Sequence, residues 1–197
     1  MRFHLGAIPS SPDFVPDASW RSLREPSPWP EKLVGLPVGV AAAAIVAVLW
    51  FLLTPLRDVT PAMSWRAYLL SFPCIVVVHE LIHALIHPMA GRSPHSIMGF
   101  SPSQMFFYAN YDGELSRNRL VAILLMPLLI ISIVPLLVSA VAQVSSSWVA
   151  FVSAFNAFCA SADLLLAGSL LFQVPADAIV RFKSWRIFWK EHDTLAA

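Results

Sequence analysis

The chain has 197 residues, of which 57% are hydrophobic and only 13% are charged, about half the charged share of an average soluble domain. This composition and the mean hydropathy of +0.68 predict a protein whose surroundings are lipid. The formal net charge of +1 argues against nucleic acid as a partner, because nucleic-acid binding needs a strongly basic surface. Cys74 and Cys159 both lie in apolar stretches, which predicts packing rather than a disulfide framework.

The predicted fold is an all-α membrane protein with about four transmembrane helices. Residues 1–33 are rich in proline and contain several acidic residues, so we expect an irregular arm at a membrane face and no cleavable signal peptide. Residues 34–173 form the transmembrane domain, and the basic, aromatic residues 174–197 form a tail at the membrane interface. Four apolar stretches are long enough for a helix to cross the hydrocarbon core: 34–55, 67–87, 120–142 and 148–172.

Two features interrupt the predicted helical pattern. The loop 88–118 contains the aromatic run 105–111 between glycine-containing turn signals, which predicts a short β-hairpin at the interface. The third apolar stretch contains Pro127 and Pro135, which predict a kink. Side chains of neighbouring helices are expected to satisfy the backbone carbonyls that the prolines leave without a donor.

Lysine and arginine are distributed unevenly between the two sides that four helices define. The N-terminal arm, the loop 88–118 and the tail would share one side, and together with Arg119, which directly follows the loop, they contain all but two of the 13 basic residues. Because basic residues accumulate on the cytoplasmic side, we expect a multi-pass protein of the plasma membrane, in contact with the lipid bilayer, with both termini in the cytoplasm. The oligomeric state is left open.

Ionisable side chains within the apolar stretches are few and are concentrated in the second one. His79, Glu80 and His83 form the pattern His-Glu-Leu-Ile-His. Histidines four residues apart project from one face of a helix, where their nitrogens can bind one zinc ion. Glu80 is placed to act as general base on a zinc-bound water. The alternative, polar side chains that bond neighbouring helices, is disfavoured because burying charge in a membrane is costly.

A catalytic zinc ion usually has three protein ligands and a water, so a further ligand is needed. Asp163 is favoured because it is the only ionisable residue of the fourth stretch and lies within about 5 Å of the depth of the histidines. His87 would lie about 12 Å from His79 on an unbroken helix and is interpreted as a polar residue at the membrane edge. His95 and Cys159 are weaker alternatives.

An HExxH pattern in an apolar helix, followed by an aspartate in a later one, resembles the site-2 protease clan of intramembrane zinc metalloproteases. More narrowly, the chain is similar to small four-pass zincin-type peptidases that share a Gly…Tyr…Gly-Glu-Leu-Ser-Arg loop and an Asn…Ser-x-Asp stretch. These residues appear here as Gly99, Tyr111, Gly113-Glu114-Leu115-Ser116-Arg117, Asn156 and Ser161-Ala162-Asp163. The resemblance implies zinc ligands at His79, His83 and Asp163, a general base at Glu80, and an active site near the cytoplasmic side.

These features predict an intramembrane zinc metalloendopeptidase. It would hydrolyse peptide bonds of membrane-spanning or membrane-adjacent proteins or peptides by a zinc-activated water. Asn156 would bind the substrate backbone, or merely bridge helices, and the substrate would add as a strand to the edge of the hairpin. The main alternative is a non-catalytic zinc-containing scaffold that handles client proteins, although structural zinc sites lack an idle carboxylate such as Glu80. A di-iron hydroxylase would need more than six histidines, and a transporter would need a polar path through the other stretches.

Overall fold

The computed structural model describes residues 1–9, 13–24, 28–55, 64–103 and 105–191, with the backbone alone for 28–33. Parts of the N-terminal arm and of the tail therefore lie outside the described residues. Most of the described chain is helical, as predicted. The helices are α1 (Pro28–Leu53), α2 (Trp65–Ile86), α3 (Arg117–Pro127), a π-helical segment (Leu128–Ile133), α4 (Val134–Ala142), α5 (Ser147–Cys159) and α6 (Ser161–Gln173).

Three helical segments are long and apolar enough to cross a membrane. They are Val34–Leu53, Trp65–Ile86 and Arg117–Ala142. A fourth candidate is the pair α5 and α6, which meets at a break with a bend of 50°. The helices thus agree with the predicted stretches to within a few residues, and the position of these helices in a membrane stays a prediction.

The chain divides into two compact units. The helical unit contains residues 27–79 and 125–164, and the mixed unit contains 1–26, 80–124 and 165–197. The division passes through α2 between His79 and Glu80, and it also passes through α3 and α6.

The core of the helical unit forms where α1 packs against α5. Gly39 permits the close approach, because a Cβ atom there would lie 2.9 Å from the carbonyl oxygen of Phe158. Trp50 is fully buried at the centre of this core. The other buried members are Val46, Leu136, Ala150 and Ala157.

Pro127 and Pro135 lie on either side of the π-helical segment Leu128–Ile133. Pro135 has no N–H to offer the carbonyl of Ile131, four residues earlier. The Ser153 hydroxyl donates to that carbonyl at 3.2 Å. The expectation that neighbouring side chains satisfy the freed carbonyls is therefore confirmed here, and residues 117–142 continue as one candidate span.

The mixed unit contains two small sheets. Their strands are β1 (Arg2–Leu5), β2 (Arg21–Ser22), β3 (Ser96–Ser101), β4 (Phe106–Tyr111), β5 (Leu115–Ser116), β6 (Ile179–Lys183) and β7 (Arg186–Lys190). The predicted hairpin is confirmed, because β3 and β4 pair antiparallel with Ser96 opposite Tyr111. β1 pairs with β3 in parallel. The second sheet has the strand order β2-β7-β6-β5.

The all-α description was therefore too narrow. The arm, predicted to be irregular, contributes β1 and β2, and the tail forms a β-hairpin around Ser184, whose φ of 54° makes the turn. Val180, Ile187 and Trp189 are buried, so the tail has the alternating pattern of half-buried strands. The basic and aromatic composition of the tail predicted an interfacial segment, either helical or extended. The alternation of buried and exposed residues that is typical of strands was not recognised.

Candidate metal centre

Helix α2 presents three potential metal ligands on consecutive turns. His79 and His83 are only 4% and 5% exposed, and Glu80 is half-buried. One ligand atom from each of the three residues lies within 4.8 Å of the others. The spacing follows from the turns of one helix. Among the described residues, no second group of this kind is found.

In the helical unit, both ring nitrogens of His79 have oxygen partners. Nδ1 lies 2.9 Å from Oδ1 of Asn156, and Nε2 lies 3.0 Å from Oδ2 of Asp163. The amide of Asn156 is fixed in this orientation, because its Nδ2 donates to the carbonyl of Pro127 at 3.1 Å and to the hydroxyl of Ser132 at 2.9 Å. The Nδ1 atom of His79 is therefore the donor to Asn156.

This arrangement leaves Nε2 of His79 facing a carboxylate. A neutral imidazole has a single N–H, and Asn156 already accepts it. The contact with Asp163 therefore requires a proton between the two groups, on His79 or on the Asp163 carboxyl, or a cation shared by Nε2 and the carboxylate. Zinc fits this donor pair, since nitrogen and oxygen ligands at their usual bond lengths in a tetrahedral site lie about 3.3 Å apart.

In the mixed unit, His83 is oriented by a backbone carbonyl. Its Nδ1 lies 2.9 Å from the carbonyl oxygen of Ile123, which can only accept, so Nδ1 is the donor. Pro127 lies four residues after Ile123 and has no N–H to bond this carbonyl. The proline of the third span thus leaves an acceptor for a histidine of α2.

A break between α5 and α6 positions Asp163. The backbone N–H of Ala160 bonds to the carbonyl of Asn156 at 2.9 Å, and that of Leu164 bonds to Ala160 at 2.9 Å. Asp163 therefore lies in the first turn of α6, where the positive end of the helix dipole favours a carboxylate; its side chain is 16% exposed. Sequence reasoning missed this break, although Ser161 and Asp163 together are typical of a helix start.

The other candidate ligands are placed differently. His87 is fully buried, its Nδ1 has no hydrogen-bond partner in the described structure, and its ring lies 5.4 Å from that of Tyr111. His95 is exposed and lies 6.0 Å from the same ring. Cys159 is half-buried in the last turn of α5. None of the three belongs to the group formed by His79, Glu80 and His83.

The loop residues that carry the narrower resemblance have identifiable structural roles. A side chain at Gly99 would collide with the ring of Tyr108. A Cβ atom at Gly113 would lie 2.8 Å from Cε1 of Tyr111. The two glycines therefore make room for tyrosine rings of β4. Their close contacts are with these rings and not with the metal group on α2.

The fold and this group define a mostly helical protein with a histidine- and glutamate-based metal-binding motif on an apolar helix. A family model described as "Putative zincin peptidase" matches residues 72–179, which is more than half of the chain. The protein belongs to this family, which makes it a zincin-type metallopeptidase with zinc as the implied metal. The searches of curated proteins and of solved structures give no match. The zincin part of the resemblance is thus confirmed, whereas the site-2 protease likeness and the four-pass topology stay predictions.

Proposed function

We propose that this protein is an intramembrane zinc metallopeptidase that cleaves membrane-spanning or membrane-adjacent peptides. The observation that carries the proposal is the pair of oxygen partners around His79. One imidazole faces both a fixed amide oxygen and a carboxylate, at 2.9 and 3.0 Å. A histidine ligand whose other nitrogen donates to a carbonyl oxygen is the usual arrangement at protein zinc sites.

Zinc would be held by Nε2 of His79, Nε2 of His83 and a carboxylate oxygen of Asp163. When bound, it would supply a Lewis acid that activates water and polarises a substrate carbonyl. Two neutral histidines with the carboxylates of Glu80 and Asp163 would balance its double positive charge. This neutrality matters in an apolar span, where an uncompensated charge is costly.

Glu80 would take the proton released from the attacking water and return it to the leaving amine. Asn156 was predicted to bind the substrate backbone, and this role stays a prediction. Its contacts favour a different one: it is fully buried, and both ends of its amide are already bonded within the protein. We therefore propose that the role of Asn156 is to orient the ring of His79.

The hairpin offers one edge for an extended substrate. β1 covers the outer edge of β3, so β4 is the uncovered edge of the hairpin among the described strands, and β1 is the other edge strand of this sheet. The Tyr108 hydroxyl donates to the carbonyl of Gly6 at 3.1 Å, and burial raises the pKa of Tyr108, which keeps the hydroxyl protonated. The arm is thus held on the β3 side, and strand addition at β4 supplies backbone hydrogen bonds without demanding a particular sequence.

The exposure of the apolar helices supports a location in lipid. Only 17%, 28% and 33% of the most apolar windows of the three candidate spans are buried within the protein. Large side chains such as Leu52, Leu70 and Val138 are 60–69% exposed. Apolar surface of this extent is unfavourable in water and is compatible with a hydrocarbon environment.

A second reading has a specific observation in its favour. A doubly protonated His79 paired with the Asp163 carboxylate would explain the 3.0 Å contact without any metal. The protein would then be a zinc-free membrane scaffold that handles clients without cutting them, whereas the zinc-containing scaffold that the sequence left as the main alternative would bind zinc and cleave nothing. The metal content of the purified protein distinguishes the zinc peptidase from this second reading. A protein with the His79–Asp163 ion pair in place of the metal would contain no stoichiometric zinc.

The enzymatic role is tested by Glu80→Gln, which keeps the shape of the side chain and removes the base. Zinc content and cleavage of a panel of single-span peptides would be measured on protein reconstituted in vesicles. We expect zinc to remain and cleavage to fall about 10²–10⁴-fold. Glu114→Gln, at an exposed glutamate paired with Lys190 at 3.3 Å, is the matched control and should cut normally. Undiminished cleavage by Glu80→Gln would refute the mechanism.

A further inference from the structure

The start of α3 is connected to the ends of two other helices within the mixed unit. The Arg117 guanidinium donates through Nη1 to the carbonyl of Val174 at 3.0 Å, directly after the end of α6. The Arg119 guanidinium donates through Nη2 to the carbonyl of Ile86 at 2.6 Å, the last residue of α2. These are the two helices that present the candidate zinc ligands, and one short segment bonds the ends of both.

Both bonds are of a kind that stabilises helix ends. The last carbonyls of a helix have no partner within it and lie at the negative end of its dipole, where a guanidinium is favoured. Each arginine is itself placed by a local contact. Oδ1 of Asn118 accepts from Nε and Nη2 of Arg117 at 3.1 and 2.8 Å. The Ser116 hydroxyl caps α3 by accepting from the backbone N–H of Arg119 at 3.3 Å.

We infer that Arg117 and Arg119 form a clamp that fixes the ends of α2 and α6 and thereby maintains the geometry of the zinc ligands. The inference rests on the proposed function, and both arginines are positioning residues that act through the helices. Ile86 is three residues beyond His83, and Val174 is eleven beyond Asp163. At 1.5 Å per residue the second separation is about 16 Å, so a tilt of α6 by about 4° would move the carboxylate by about 1 Å.

A displacement of that size is large for a metal site, since ligand distances are set to within about 0.2 Å. The clamp therefore predicts a loss of zinc affinity from residues outside the ligand group. Neither arginine has a role in proton transfer, so their effect on the metal should be separable from catalysis.

The first test measures how fast zinc passes from the purified full-length protein to a chelator. Arg117→Met and Arg119→Met keep a long side chain but remove the guanidinium, and each should release zinc about tenfold faster. Lysine at either position retains a positive donor and should restore most of the difference. Arg92→Met, at an exposed arginine of the same unit, is the control and should match wild type. Wild-type release rates in both methionine variants, or no rescue by lysine, would overturn the clamp.

The second test needs no metal. Spin labels at Leu85 and Phe172, which are 48% and 93% exposed on the last turns of α2 and α6, report the distance between the two helix ends in protein whose native cysteines are replaced by alanine. The distribution should be narrow in the parent and broader in Arg119→Met. Unchanged distributions would refute the clamp even if zinc is bound. A wild-type protein without zinc but with a broadened Arg119→Met distribution would refute the proposed function alone.

Discussion

At the scale of single residues, His79 and His83 share one feature, a hydrogen bond from Nδ1 to an oxygen atom of another helix. Each donates its Nδ1 proton to an oxygen, the amide of Asn156 for one and the carbonyl of Ile123 for the other. A histidine that donates one ring N–H to an oxygen in this way is the usual arrangement at protein zinc sites. The motif supplies the two histidines, and residues of other helices decide which nitrogen each one offers.

Metal content tests the ligand set directly. Substitution of either ligand histidine, His79→Ala or His83→Ala, should abolish stoichiometric zinc, because two remaining ligands hold the ion poorly. His87→Ala should retain zinc, since His87 lies outside the group found on α2. The measurement is zinc per chain by elemental analysis of purified protein. Full zinc occupancy in His83→Ala would exclude the assignment.

The role of Asn156 separates orientation from substrate binding. If Asn156 orients His79, Asn156→Ala should weaken zinc binding about 10- to 100-fold, as measured by competition with a chelator. If it binds substrate only, zinc affinity should be unchanged and KM should rise. Asn110→Ala, at a buried asparagine of β4, controls for the loss of a buried amide and should leave zinc affinity unaffected.

At the scale of helices and strands, the prolines of the third span link the fold to the site. Pro127 and Pro135 each leave one carbonyl without a helical donor. The carbonyl freed by Pro135 accepts from Ser153, and the one freed by Pro127 accepts from His83. Two residues that look alike in the sequence therefore differ in function, because only one of them serves a candidate zinc ligand.

Replacing each proline by alanine gives two matched variants that test whether Pro127 affects the zinc site. Pro127→Ala introduces an N–H that competes with His83 for the Ile123 carbonyl, so zinc affinity should fall about three- to tenfold. Pro135→Ala creates the same competition at Ile131 and should leave zinc affinity unchanged. Alanine favours a helix over proline by about 3 kcal/mol, so neither variant should lower the melting temperature much. Equal zinc affinities in the two variants would contradict the role of Pro127.

The sequence predicted those features whose cause is local. Two histidines four residues apart lie on one face of a helix, so their proximity was predictable. The hairpin was predictable from an aromatic run between turn signals. Pro127 in the sequence predicts that the Ile123 carbonyl lacks a helical donor, but His83 could not be predicted as its partner, because which side chain reaches a backbone carbonyl depends on how the helices pack. The strands of the arm were also not predicted, because they are short and exposed. β1 forms by pairing with β3, and β2 by pairing with β7.

At the scale of the whole molecule, the distribution of charge and of apolar surface gives a testable orientation. The helices expose large apolar side chains, whereas basic residues cluster in the arm, in the loop 88–118 and in the tail. In a membrane this pattern favours one cytoplasmic side that contains all three segments. The substrate site would then open toward the cytoplasm, since the hairpin belongs to the loop 88–118.

Accessibility to a membrane-impermeant maleimide tests this orientation in intact cells. Single cysteines would be introduced at Ala18, Val144 and Asp177, which are exposed, in protein whose native cysteines are replaced by alanine. The four-helix arrangement places Ala18 and Asp177 on the cytoplasmic side and Val144 on the opposite one. We therefore expect labelling of Val144→Cys alone in intact cells and of all three after permeabilisation. Labelling of Ala18→Cys or Asp177→Cys before permeabilisation would rule out four spans with cytoplasmic termini: labelling of one site requires an odd number of crossings, and labelling of both requires the reverse orientation.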